Sequence, residues 1–278
     1  MKMTRRQFIG LVGAFGAAAM QSGANDGFNW DRFKPWKHLG KQDGPLAFAA
    51  INDTHVLDAK STAIVSRAVN QINATPEIRF TVILGDIATD GHLQEMGLAK
   101  AAFDRLQQPC FAVPGNHDVM PRDANPYANY RRAFEKSEWT EGKQGWLFMG
   151  IDTCNGTASD VTIPPERLEW IQKQLRKVKA ERPIALFTHH PFNPNTKAYR
   201  VKNADETLAL FASHNLKLVA SGHYHGNQIE ERDGILFTTT ACCASTRNNF
   251  DNTDARGYRI FRLDGDNIEH EFVEVPLS

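Results

Sequence analysis

The sequence predicts an α/β protein, and three features carry the prediction. Leu46-Ala47-Phe48-Ala49-Ala50-Ile51 and Phe80-Thr81-Val82-Ile83-Leu84 are near-continuous apolar runs, the pattern of strands covered on both faces. Segments with apolar residues at helical spacing fall between such runs, so parallel strands joined by right-handed crossovers are expected. Each run also ends in a polar loop rich in Asp, Asn and His, at the rim where α/β proteins keep their chemistry.

The chain opens differently. Lys2, Arg5 and Arg6 precede an uncharged run from Phe8 to Met20, too short and too weakly apolar to span a bilayer well. Residues 1–25 therefore read as a removable export signal, and the mature form is expected to carry no stable membrane span. Thr4-Arg5-Arg6-Gln7-Phe8-Ile9 resembles the twin-arginine signal, with Gly10 where Lys is common. That resemblance implies the twin-arginine export machinery as a partner and a periplasmic or secreted location. Ala17-Ala18-Ala19 and Ser22-Gly23-Ala24 both offer a cleavage site. Residues 26–44, with Trp30, Phe33, Pro35 and Trp36 among polar residues, read as an N-terminal arm, and residues 45–278 as one catalytic domain.

Within that domain the strand Leu46 to Ile51 ends in Asp53-Thr54-His55. A helix follows over 61–73 on Ala63, Ile64, Ala68 and Ile72, stopped before Pro76. Phe80 to Leu84 runs into Gly85-Asp86, with a helix expected over 93–107. Cys110 to Val113 delivers Gly115-Asn116-His117-Asp118. Residues 119–144 read as a polar, aromatic insertion with one short helix around Tyr127, Tyr130, Arg131 and Arg132. Gly145 to Ile151 is a strand, and Pro164 or Pro165 opens a helix with an apolar stripe on Leu168, Ile171, Leu175 and Val178. Pro183 to Phe187 arrives at Thr188-His189-His190-Pro191, before a loop bearing Lys197, Tyr199, Arg200 and Lys202. A helix near 204–214 and the strand Leu216 to Ala220 lead to Gly222-His223-Tyr224-His225. Closely spaced strands at 227–232, 234–240, 257–263 and 268–275 predict an antiparallel closing portion.

Thirty-two basic and thirty-two acidic residues cancel, so no overall field points to nucleic acid as a main partner or to a membrane surface. An anionic substrate must be drawn in locally. Export would permit disulfides. Cys110 reads as a small buried residue, while a bridge between Cys154 and either Cys242 or Cys243 is left open, because sequence does not fix connectivity. The adjacent pair lacks the Cys-x-x-Cys spacing of a dithiol redox centre. Nothing in the sequence marks an oligomeric state.

Two carboxylates, an amide and at least four imidazoles at strand ends form a set of hard oxygens and intermediate nitrogens without thiolate. Such a set suits Mn, Fe, Zn or Co. It also exceeds the needs of one ion, whereas two ions about 3.5–4 Å apart that share a carboxylate would use it in full.

Asp-x-His, Gly-Asp, Gly-Asn-His-Asp, His and Gly-His-x-His, in this order over roughly residues 46 to 226, resemble the calcineurin-like metallophosphoesterase superfamily. The resemblance implies a four-layer α/β/β/α sandwich of two mixed sheets, with the active site at strand C-terminal ends. It implies two divalent metal ions, the first held by Asp53, His55, Asp86 and His225 and the second by Asp86, Asn116, His189 and His223. His189 is chosen over His190 because the family's ligand stands two residues before the proline, here Pro191. His117 would face the substrate phosphate or leaving oxygen, with Asp118 orienting its ring and favouring the cation. The implied reaction is in-line attack on a small-molecule phosphate ester by water that the ions acidify. Purple acid phosphatases carry a tyrosine ligand three residues after the bridging Asp; Thr89 stands there, so a ferric-tyrosinate centre is not expected. The set looks more like the bacterial cyclic-nucleotide and glycerophosphodiester phosphodiesterases. A phosphomonoesterase of the same fold and a non-catalytic scaffold are the alternatives.

Overall fold

The computed structural model describes residues 46–120, 122–196 and 199–277. The expected signal (1–25) and arm (26–44) lie outside the described residues. In chain order the elements are β1 (Leu46–Ile51), α1 (Thr62–Asn73), β2 (Ile78–Leu84), α2 (Leu93–Phe103), β3 (Cys110–Val113), α3 (Ala128–Phe134), β4 (Trp139–Lys143) and β5 (Trp146–Gly150). They continue with α4 (Pro165–Leu175), β6 (Pro183–Thr188), α5 (Ala204–Ala209), β7 (Asn215–Ser221), β8 (Gln228–Arg232), β9 (Ile235–Thr239), β10 (Gly257–Asp264) and β11 (Asn267–Glu274).

These strands form two mixed sheets, ordered β11-β10-β1-β2-β3 and β4-β5-β6-β7-β9-β8. β1, β2 and β3 run parallel in the first, and β5, β6, β7 and β9 in the second. The facing sides meet in one apolar layer. Phe48 stacks between Phe80 and Phe261, each 4.9 Å away, and takes Phe148 and Phe187 edge-on at 5.8 and 5.5 Å. Flanking helices complete the layers. α1 buries Ile64, Val65, Ala68, Val69 and Ile72 on one face, and α4 opens on Pro165 and buries Ile171 and Leu175.

Three expectations change. α2 stops at Phe103 because the end of α1 captures its exit: Asn73 Nδ2 donates to Arg105 O, and Asn73 Oδ1 accepts from Gln107 N. The closing strands do not form one antiparallel portion. β10 and β11 join the first sheet and β8 and β9 the second, where β9 lies parallel to β7. The 119–144 insertion also contains a strand, β4, paired with β5. No helix among the described residues is long and apolar enough to cross a membrane.

β4 ties the sheets together through one side chain. Trp139 lies opposite Gly150, where an added Cβ would come within 2.3 Å of the indole, and its Nε1 donates to Ala112 O of the other sheet at 2.8 Å. Trp139→Ala removes a buried aromatic ring and this cross-sheet bond. Urea denaturation should show a loss of about 3–5 kcal/mol, and a loss below about 1 kcal/mol would mean that the sheets do not depend on it.

Candidate metal centre

The rim is built where parallel strands end. Asp53 and His55 follow β1, Asp86 follows β2, Asn116 and His117 lie in a 3-10 turn after β3, His189 follows β6, and His223 and His225 follow β7. Asp53, His55, Asp86, His223 and His225 all adopt left-handed backbone, with φ of 51°, 40°, 48°, 65° and 46°. Side-chain-bearing residues avoid this region at a cost of about 1–2 kcal/mol each, so the surroundings must impose it. Backbone bonds from Asp53 N to Gly85 O and from His55 N to Asp86 O, both 3.0 Å, join the first two turns. At Gly115 an added Cβ would lie 2.1 Å from Asp86 Oδ1, so only glycine allows that approach.

The side chains converge in two groups. His225 Nε2 lies 3.2 Å from Asp53 Oδ1 and 3.3 Å from His55 Nε2, and His55 Nε2 lies 3.6 Å from Asp86 Oδ2. The other Asp86 oxygen, Oδ1, is 3.3 Å from His189 Nε2, which is 3.2 Å from Asn116 Oδ1 and 3.1 Å from His223 Nδ1. Ligand atoms about 2.0–2.2 Å from a common ion stand about 2.8–3.6 Å apart at right to tetrahedral angles, so both groups have the spacing of donors around a cation. Buried Asp53 Oδ1 is at ion-pair distance from His225 yet accepts no well-directed hydrogen bond, which also fits a cation as its partner.

The outer nitrogens fix the rings. His189 Nδ1 donates to Leu84 O at 2.8 Å and His225 Nδ1 to Asn248 O at 3.0 Å, which turns each Nε2 inward. His190 also lies close, its ring 4.4 Å from that of His223. Its nitrogens are already engaged, however, by Thr153 Oγ1 at 2.8 Å and Ala158 O at 3.3 Å. It groups with His189 and His223 at metal-ligand spacing, but Thr153 and Ala158 compete with an ion for its nitrogens.

His117 is half-buried beside the first group, its ring 4.8 Å from His55. Here the expectation for Asp118 is corrected. Nδ1 of His117 donates to Thr89 O at 2.6 Å, so a backbone carbonyl orients the ring. The Asp118 carboxylate instead accepts from Ile87 N, Ala88 N and Gly115 N at 2.9, 3.0 and 2.8 Å, clamping the loops after β2 and β3 together. The bridge left open for Cys154 is not formed: all four cysteines are free, and Cys154 Sγ lies 3.3 Å from Pro114 O.

The family model for calcineurin-like phosphoesterases matches residues 46–227. The chain belongs to this family. A probable cyclic nucleotide phosphodiesterase of a Synechococcus species is 27% identical over 236 residues, covering 80% of this chain and 89% of that protein. A probable glycerophosphodiester phosphodiesterase of Arcobacter nitrofigilis is 28% identical over 160 residues, 54% of this chain and 53% of that one. Among solved structures, a purple acid phosphatase from yellow lupin superposes with a TM-score of 0.63 at 12% identity, over 84% of this chain and 52% of that one. The phosphoesterase segment ends at the start of β8, yet β10 lies beside β1 and the loop after β9 supplies Asn248 O to His225. The later strands thus complete the site.

In this phosphoesterase centre burial opposes the charged forms of His55, His189, His223 and His225. It dominates for His55 and His223, lowered to about 3 and about 4. For His225 the Asp53 carboxylate overcomes burial and raises the ring to about 11, and Asp86 does the same for His189, raised to about 9. Asp53 and Asp86 are held below the ordinary range: burial opposes this, but His225 and His189 prevail. Thr89 O, Leu84 O and Asn248 O are contacts that sequence reasoning missed, because a backbone acceptor carries no residue-type signal.

These opposed shifts predict how chelated protein responds to pH. An unfolded histidine titrates near 6.5. The contributions of His189 and His225 are complete below about pH 6.5 and lost as pH rises through about 9 and about 11. Those of His55 and His223 are complete above about pH 6.5 and lost as pH falls toward about 4 and about 3. The urea midpoint of chelated protein should therefore peak near pH 6.5. A midpoint that rises or falls steadily from pH 4 to 9 would contradict these charge assignments.

Proposed function

We propose that this phosphoesterase hydrolyses phosphate diesters with two divalent ions, one held by Asp53, His55, Asp86 and His225 and the other by Asp86, Asn116, His189 and His223. The observation that carries this reading is Asp86, which turns one carboxylate oxygen toward each group of histidines. Ions bound there would offset phosphate charge and acidify water, their general use in phosphoryl transfer. The donor set suits Mn, Fe or Zn.

The chain's own part is positioning and proton handling. With Nδ1 committed to Thr89 O, His117 has Nε2 as the nitrogen that can exchange a proton with the leaving oxygen. Beside it lies a cavity of about 370 Å³ lined by Asp90, Arg122, Asp123, Thr157 and Ser159, among others. Two carboxylates against one guanidinium discourage the extra charge of a monoester dianion and suit a polar organic arm. The names of the two relatives described above point the same way.

The test sets a chromogenic diester beside its monoester, with the Mn-loaded protein and its His117→Ala variant. The diester should be preferred and chelator should abolish turnover. The variant should lose about 10²–10⁴-fold in kcat while keeping its metal. Asp86→Ala should lower the metal content of both positions. Preference for the monoester would make the protein a phosphatase, and full metal with no turnover of either ester would favour a scaffold.

We also propose export by the twin-arginine route, on Arg5-Arg6 ahead of the uncharged run to Met20. Cell fractionation of the double variant Arg5→Lys/Arg6→Lys should find the protein retained in the cytoplasm. Export undiminished by that change would refute the route.

A further inference from the structure

We propose that Phe250 and Tyr199 form a stacking subsite for a flat aromatic ring on the ester arm that stays with phosphorus; this rests on the diesterase reading above. Phe250 is 51% exposed and Tyr199 40%, although large apolar side chains usually hide. Neither lies on a remote surface. The Phe250 ring stacks on His225 at 5.2 Å and 7°, and Tyr199 meets His223 edge-on at 5.4 Å and 76°. The two rings are 5.9 Å apart and inclined at 48°, with Tyr224 6.3 Å from Phe250. Two candidate ligand rings are thus extended outward by an aromatic wall.

That wall is held in place. Phe250 N donates to His225 O at 2.9 Å, and His225 Nδ1 donates to Asn248 O at 3.0 Å. Buried Asn249 accepts from Cys242 N at 3.0 Å and donates to Ala255 O at 2.6 Å. Arg256 grips Ala244 O and Arg247 O at 2.9 and 2.7 Å. The loop is therefore fastened on both sides of Phe250, and its ring is presented to solvent by a rigid support. Tyr199 has φ of 61°, a conformation that an aromatic residue adopts only when its surroundings require it.

The position selects which arm it serves. Following ring to ring from His117, His55 comes at 4.8 Å, His225 5.2 Å further, and Phe250 5.2 Å beyond that. The leaving oxygen belongs with His117 and its polar cavity, so the aromatic wall, two rings removed, is left for the retained arm. A planar ring there would cover aromatic faces that now meet water. An aryl group and a nucleobase share this chemistry.

The test keeps one leaving group and varies the retained arm: ethyl, phenyl and thymidine-5′ esters of p-nitrophenyl phosphate, with the Mn-loaded full chain. Phenyl or thymidyl should be preferred to ethyl by about tenfold in kcat/KM, through KM, as for one ring stack. A phenyl preference alone assigns a simple aryl arm, and a stronger thymidyl preference assigns a base. Phe250→Ala and Tyr199→Ala should each erase most of that preference, while Phe250→Trp retains it. Saturation transfer from the protein to the ring protons of non-hydrolysable phenyl methylphosphonate should weaken in parallel. Equal rates for all three esters, or an equal loss on all three in Phe250→Ala, would overturn the subsite and leave the diesterase reading standing. No turnover of any ester by the native holoenzyme would overturn both.

Discussion

Asp53 and Asp86 are buried carboxylates set between the ends of two sheets, and the rest of the rim is arranged around that charge. A carboxylate taken out of water is costly unless positive charge and hydrogen-bond donors replace its hydration. The fold answers with imidazoles from four different loops and with backbone amides: His223 N reaches Asp53 Oδ2 and His117 N reaches Asp86 Oδ1, both at 2.9 Å. In the isolated chain, protons on His189 and His225 stand opposite these carboxylates. A divalent ion can take over the same role, since its binding displaces those protons and concentrates charge at one point. Acid-base balance and metal affinity are therefore two expressions of one arrangement.

Holding that arrangement requires unusual backbone, and the core explains how it persists. Five candidate ligands in left-handed conformation would relax if their loops were free. Each leaves a strand buried in the inter-sheet layer of Phe48, Phe80, Phe148, Phe187 and Phe261, or in its continuation, so the loop ends are fixed to within the tolerance of close packing. Gly85, Gly115 and Gly222 let the turns approach one another without side chains between them. Rigidity in the apolar layer thus becomes precision at the rim.

Much of this was legible in the sequence because the signals are strong and local. Continuous apolar runs gave strands close to their observed limits, and polar residues directly after them gave the rim. β4 was hidden because only Trp139 and Lys143 of its five residues are buried, too little pattern to mark a strand inside a polar stretch. The closing strands were visible, but sequence does not say which sheet each joins. The cysteines were visible as residue types alone, and pairing depends on distances no spacing encodes. The aromatic wall drew residues from two loops without periodicity, so Phe250 carried no sign that it would lie over His225.

Asp118 shows why neighbours in sequence are poor guides within a tight turn. In a 3-10 turn, successive side chains point about 120° apart, so the residue after His117 faces away from it and into the protein. There its carboxylate gathers amides from Ile87, Ala88 and Gly115, while Asp86 Oδ1 takes the amide of His117 itself. The loop that offers the shared carboxylate and the loop that offers the proton-handling ring are thereby joined by three backbone-to-carboxyl bonds, while the Gly115 amide closes the second loop on itself. Thr89, three residues beyond Asp86, then sets the ring by its carbonyl. His117 is consequently placed relative to Asp86 by the protein itself, before any ester arrives, and Asp118 serves that placement through the backbone rather than by touching the ring.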